Sequence, residues 1–118
     1  MKVVKNCKEQ SDWTSVCQLD QLMENYGQCV QLNQEQVAIF RVSGIEKICA
    51  IDNFDPFSGA NVLSRGIVGD IKGVPVVASP VYKQHFDLLT GQCLEDETVK
   101  LATYPVRVLD GVVQLSTK

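Results

Sequence analysis

The chain has 118 residues, 45% hydrophobic and 21% charged, with a formal net charge of −3. That composition suits one globular domain with its own core and excludes a disordered chain. The acidic balance, without a basic run, removes the electrostatic basis for nucleic-acid binding, and no apolar stretch approaches the roughly 20 residues that span a bilayer.

Residues 1–12 are polar and charged, and a loosely ordered start or an added edge strand is expected there. They hold basic residues but no apolar signal-peptide segment, so the chain reads as cytoplasmic. Trp13 is expected to open the ordered part of a single domain. Residues 15–19 read as a strand, with a helical turn open over 20–25. Tyr26-Gly27-Gln28 reads as a turn. Residues 29–32 form a short alternating strand, and polar residues 33–36 separate it from the β-branched run 37–42. Ser43-Gly44 breaks that run and residues 47–51 resume it. Short strands spaced by turns mark an antiparallel β-domain.

Pro56, Gly59 and Gly66 punctuate the next stretch, in which Val62-Leu63 reads as a buried anchor. Residues 67–71 and 74–78 flank Lys72-Gly73, a tight turn. Ser79-Pro80 opens a polar loop, His85-Phe86-Asp87-Leu88 follows, and Thr90-Gly91 reads as a hairpin turn. Residues 95–98 are acidic and loop-like. Residues 102–109 and 112–115 flank Asp110-Gly111, among the strongest hairpin signals. Two strand-to-loop units, 49–59 and 74–95, could set their loops side by side at one end. A cluster-binding fold uses that arrangement.

Cys7, Cys17, Cys29, Cys49 and Cys93 are odd in number and lack C-x-x-C spacing. That argues against a disulfide framework and against a zinc site. They read as free, partly buried thiols, with a reactive thiol as the alternative.

From Trp13 to Leu115 the chain resembles the Rieske-type [2Fe–2S] domain. The resemblance is carried by Ile51-Asp-Asn-Phe-Asp, Ser79-Pro-Val-Tyr, Phe86-Asp-Leu-x-Thr-Gly91 and Tyr104-Pro-Val-Arg-Val-Leu-Asp-Gly111. It implies an all-β, antiparallel barrel or sandwich with two loops at the cluster end. Where the family has C-x-H the chain has Asn53-Phe54-Asp55. Where it has C-P-x-H the chain has Ser79-Pro80-Val81-Tyr82, and the gap between the loops is longer than usual. A Rieske centre needs two thiolates and two imidazoles. Asn53, Asp55, Ser79 and Tyr82 supply neither, so no cluster is expected on this chain.

Scaffold without ligands, together with Cys49-Ala-Ile-Asp-Asn-x-Asp-Pro-Phe-Ser, Leu63-Ser-Arg-Gly66 and Ser79-Pro-x-Tyr-Lys-Gln-His-Phe-Asp, is similar to the small-subunit family of bacterial assimilatory NADH-dependent nitrite reductases. The resemblance implies a large-subunit partner that bears FAD, sirohaem and a [4Fe–4S] cluster and reduces nitrite to ammonium. This chain would be a non-catalytic accessory subunit, without a cofactor, metal site or catalytic residue of its own. The alternatives are an electron-transfer ferredoxin of the Rieske type and a stand-alone small-molecule binder. The binder would use a cleft around Asn53, Asp55, Ser79, Tyr82 and His85.

Phe54, Pro56, Phe57, Tyr82, Lys83 and His85 are the candidates for partner contact, because aromatics clustered at a domain tip mark interfaces. Asn53, Ser79 and Tyr82 are expected either to hydrogen-bond across the two loops, with Asp55 pairing with Lys83, or to be solvated. His85 and Cys93 flank the Thr90-Gly91 turn, but no oxyanion-hole motif accompanies them. Arg41, Arg65 and Arg107 read as surface ion-pair residues, and an edge strand leaves room for a homo-oligomer.

Overall fold

A computed structural model describes residues 13–43 and 47–116. Among them the secondary structure is all β, apart from two 3₁₀ turns at Leu19–Gln21 and Leu63–Arg65. β1 (Thr14–Gln18) pairs with β11 (Val112–Leu115), which also pairs with β10 (Val106–Leu109). β2 (Gly27–Leu32), β3 (Glu35–Val42) and β4 (Lys47–Asp52) form a second sheet. β5 (Phe54–Asp55) and β6 (Ala60–Asn61) form a small hairpin. β7 (Ile67–Ile71), β8 (Val74–Ala78) and β9 (His85–Asp87) form the last sheet. Every pairing between strands is antiparallel.

The run 37–42 is apolar on both faces because β3 lies between two layers. Alternate strand residues point to opposite faces. Ala38, Phe40 and Val42 join Leu63, Val77, Phe86 and Leu88 in one cluster. Val37 and Ile39 join Leu22, Leu32, Val113 and Leu115 in another. β4 divides likewise, Cys49 and Ile51 facing the first cluster and Ala50 the second. The result is a sandwich of separate sheets rather than a closed barrel.

The hairpins at Lys72-Gly73 (φ 52° and 85°) and Asp110-Gly111 (φ 53° and 78°) put both central residues in the left-handed region. That conformation matches the twist of the flanking strands. Two expectations shift. Gly27 opens β2, and the turn precedes it, with Asn25 at φ 65° and the Tyr26 N–H donating to the Met23 carbonyl. Residues 102–105 are not part of β10. They run beside β4, where Ala102 accepts from the Asp52 N–H and the Tyr104 N–H donates to Ala50. Pro105, which has no N–H to donate, precedes the start of β10. The expectation of an edge strand over 1–12, like Cys7, falls outside the described residues.

Candidate functional site

Three loops meet at one end: loop A (53–59), loop B (79–84) and loop C (94–99). Asp55 joins A to B. It is fully buried at the end of β5, and it accepts from the Phe57 N–H (2.9 Å), the Ser58 hydroxyl (3.0 Å) and the Ser79 hydroxyl (2.5 Å). Asp accepting from the N–H two residues on is a local turn device, so Asp55-Pro-Phe-Ser58 folds around its own carboxylate. Three donors converge on its two carboxyl oxygens and satisfy them.

Asn53 is also buried but ties loop A elsewhere. Its Oδ1 accepts from the Ser64 N–H at 2.7 Å, and its Nδ2 donates to Gln36 Oε1 at 3.2 Å and lies 3.5 Å from Cys29 Sγ. The expected network across the loops therefore reduces to Asp55–Ser79. Asn53 anchors loop A to β2, β3 and the second 3₁₀ turn. Asp55 is held by Ser58 and Ser79 rather than by Lys83, and Tyr82 stands 61% exposed.

Loop B is closed on itself. The Ser79 N–H donates to Gln84 O (2.9 Å), the Lys83 N–H to Ser79 O (3.1 Å) and the Val81 N–H to Ser79 Oγ (3.3 Å). Lys83 takes φ 66°. Loop C joins at His85. The His85 N–H donates to Glu95 Oε1 at 2.8 Å, His85 Nδ1 lies 2.6 Å from Glu95 Oε2, and the Leu94 N–H donates to His85 O at 2.8 Å. Burial acts to raise the Glu95 carboxyl. The hydrogen bonds from the His85 backbone and ring outweigh it and hold the group below the usual carboxylate range.

His85 and Cys93 meet through this carboxylate: Cys93 Sγ lies 3.7 Å from Glu95 Oε1. Burial pushes the Cys93 thiol up, the reverse of an activated nucleophile. Burial likewise raises Cys17, and it pushes Cys49 up to about 11, with Asp87 adding to the rise and Lys47 opposing it. Native protein treated with iodoacetamide at mildly alkaline pH should be labelled at exposed Cys29 and spared at buried Cys49 and Cys93. Site-resolved mass spectrometry checks this. Labelling of Cys49 as fast as Cys29 contradicts it.

The apolar residues of this end divide by exposure. Phe57 is half-buried, packs on the core and sets its ring 6.2 Å from that of Phe86. Phe54, Pro56, Val81, Tyr82 and Leu94 are exposed. Glu95, Ser58, Gln36 and Ser64 were not singled out from sequence. Only Ser58 had a local signal, its place three residues after a turn-forming Asp. Among the described residues no arginine forms the expected surface ion pair. Arg41 is half-buried and donates to the Leu19 and Leu22 carbonyls, and Arg107 sits 4.4 Å from the Trp13 ring and bonds Gln114. Arg65, at the end of the second 3₁₀ turn, is exposed.

This donor set does not fit a [2Fe–2S] cluster. The four positions offer an amide bonded to Ser64 and Gln36, a carboxylate and a hydroxyl bonded to each other, and an exposed phenol. None is a thiolate or an imidazole. Among the described residues no three His, Cys, Asp or Glu side chains gather where they could hold a metal ion. None of their helices is long and apolar enough to cross a membrane.

The Rieske-like [2Fe-2S] domain family matches residues 12–116. The nitrite reductase (NADH) small subunit of Escherichia coli K12 is 46% identical over 105 residues, covering 89% of this chain and 97% of that one. The solution structure of the nitrite reductase [NAD(P)H] small subunit from Erwinia carotovora superposes with a TM-score of 0.77 at 46% identity, covering 92% of this chain and 83% of that one. The nitrite reductase [NAD(P)H] large subunit of Klebsiella oxytoca is 39% identical over 101 residues, which are 86% of this chain but 10% of that one.

Proposed function

Because the chain belongs to the nitrite reductase (NADH) small-subunit family, on a Rieske-like [2Fe-2S] domain, we propose that it is the accessory subunit that docks on a cofactor-bearing large subunit. The observation that carries this reading is the Klebsiella relative, in which a homologous stretch is a tenth of a large-subunit polypeptide. A domain found both free and within one chain of the same enzyme is expected to work in contact with the rest of it.

The donor set adds the second half of the proposal: the chain contributes surface rather than electrons. Two of its former ligand positions spend their polar atoms on each other, so the loops hold their shape without iron. In this reading FAD, sirohaem and a [4Fe–4S] cluster belong to the large subunit, and the complex reduces nitrite to ammonium in nitrate assimilation, in the cytoplasm. The chain itself carries no catalytic residue.

The test is co-expression of tagged chain with its large subunit, followed by size-exclusion chromatography and an assay of nitrite-dependent NADH oxidation. The expected result is one complex, with flavin and sirohaem absorption that stays with the large subunit when the two are separated. Omission of the small chain should remove most of the activity. An isolated chain that is coloured and contains iron would instead establish the ferredoxin reading, and two subunits that never co-elute would end the accessory reading.

A further inference from the structure

We infer that the face gripping the large subunit is the end formed by loops A, B and C, with Val81 and Tyr82 as the apolar anchor and Glu95, Asp96 and Glu97 as an acidic rim. This inference rests on the accessory-subunit reading and says which surface serves it and what the partner must offer: an apolar recess flanked by basic side chains.

The three loops are one contiguous surface because direct bonds join them. Asp55–Ser79 ties A to B, Ser79–Gln84 closes B, and His85 holds Leu94 and Glu95 of C. Phe54 of loop A and Leu94 of loop C are exposed apolar residues on the other two loops. An exposed tyrosine in such a patch has the chemistry that dominates binding energies: a large ring with a polar tip.

Loop B is held ready rather than left to be ordered on contact. Pro80 fixes one backbone angle, Ser79 Oγ accepts from the Val81 N–H, and Lys83 keeps a left-handed φ of 66° that a residue with a side chain adopts at a cost. Strain of this kind persists where surroundings over-determine it, often at binding sites, and a preformed anchor loses less freedom on binding. The buried Asp55 carboxylate points the same way. An apolar plug could fill the space between two loops, whereas a side chain with three directional hydrogen bonds sets their relative position. Loop C carries three carboxylates in succession and is tied to His85 at the end of loop B, so the exposed charge of the three loops is acidic on balance, Glu95, Asp96 and Glu97 against Lys83. Rim charges of one sign select a partner of the other and speed the encounter.

A second apolar area serves as the control. Tyr26 and Ile67 are exposed beside a groove lined by both Glu24 and Arg65, whose charges offset, so it lacks the acidic balance of the loop end.

The experiment titrates fluorescently labelled small chain into purified large subunit of the same species, at low and at high salt. Tyr82 is exposed, so Tyr82→Ser should keep its fold, and its thermal midpoint verifies that. Tyr82→Ser is expected to weaken binding about 30-fold, the loss typical of a hot-spot anchor. Glu97→Lys is expected to weaken it several-fold at low salt and much less at high salt. Ile67→Ser should bind as wild type does. Tyr82→Ser binding at wild-type strength overturns the anchor, and Glu97→Lys binding equally well at low salt overturns the acidic rim, while the accessory reading survives both. Failure of the wild-type chain to bind at all overturns that reading and this inference together.

Discussion

Replacing Asp55 with alanine should destabilise the protein by about 3 kcal/mol, because a buried hydroxyl and a part-buried backbone N–H then lose their acceptor. The Ser79 hydroxyl and the Phe57 N–H both point at that carboxylate, and Ser79 is itself buried. Each buried polar group left unpaired costs roughly 1–3 kcal/mol, and Ser58, half-buried, can turn towards water. For a domain of this size that corresponds to a fall in melting temperature of roughly 15 °C. Ser79→Ala should cost less, since Asp55 keeps two of its three donors. The double variant should be less damaged than the sum of the two, as expected for residues that share one bond. A melting temperature for Asp55→Ala within about 2 °C of wild type would show that the two loops are held by something other than this clasp.

Gly91→Ala has the second large effect, also about 3 kcal/mol, and it acts through the backbone. Gly91 has φ 82°, and a Cβ there would collide with the Leu101 carbonyl oxygen and come within 3.3 Å of Thr103 Cγ2. A left-handed φ costs a residue with a side chain roughly 1–2 kcal/mol, and forcing apart a packed contact adds roughly 1–3. Leu101 cannot simply move away. Its N–H donates to Gly91 O at 2.8 Å and its side chain is in the core. Gly111 separates the two causes: its φ is 78°, yet nothing lies within 4 Å of the Cβ position. Gly111→Ala should therefore lose only the conformational part, about 1 kcal/mol. Urea midpoints of the two variants, measured side by side, check the difference. Equal losses would mean that the contact with Leu101 carries no energy.

The two glycines also show what a sequence makes visible. Asp110-Gly111 announces its hairpin because everything the turn needs is local, and the same holds for Lys72-Gly73. The run 37–42 announces a buried strand because both its faces are apolar. Gly91 was legible as a turn, but its crowding against Leu101 depends on where a later segment passes. The same limit governs the site. The order of Asn53, Asp55, Ser79 and Tyr82 along the chain is enough for the family resemblance to set them where cluster ligands are expected. It does not say that Ser79 reaches a carboxylate 24 positions away, or that Glu95 clamps His85 from ten positions on. Such contacts arise from tertiary packing and leave no periodic trace. Residues 102–105 depart from the expected strand for a related reason. Their strand-like composition suits a segment that bonds to β4 on its way to another sheet, and composition alone does not separate that from a regular strand.

The pairing of β1 with β11 sets Thr14 opposite Leu115. The first and last strands of the described sandwich thus begin and end a strand's width apart, roughly 5 Å. A unit whose two ends are neighbours can be spliced into a longer chain almost as a side loop, because the host needs only one small gap to receive it. Gene fusion and fission are then nearly neutral for its folding. A homologous stretch makes up nearly the whole of the Escherichia coli small subunit and a tenth of the Klebsiella large subunit, and neither setting requires the core to be remodelled.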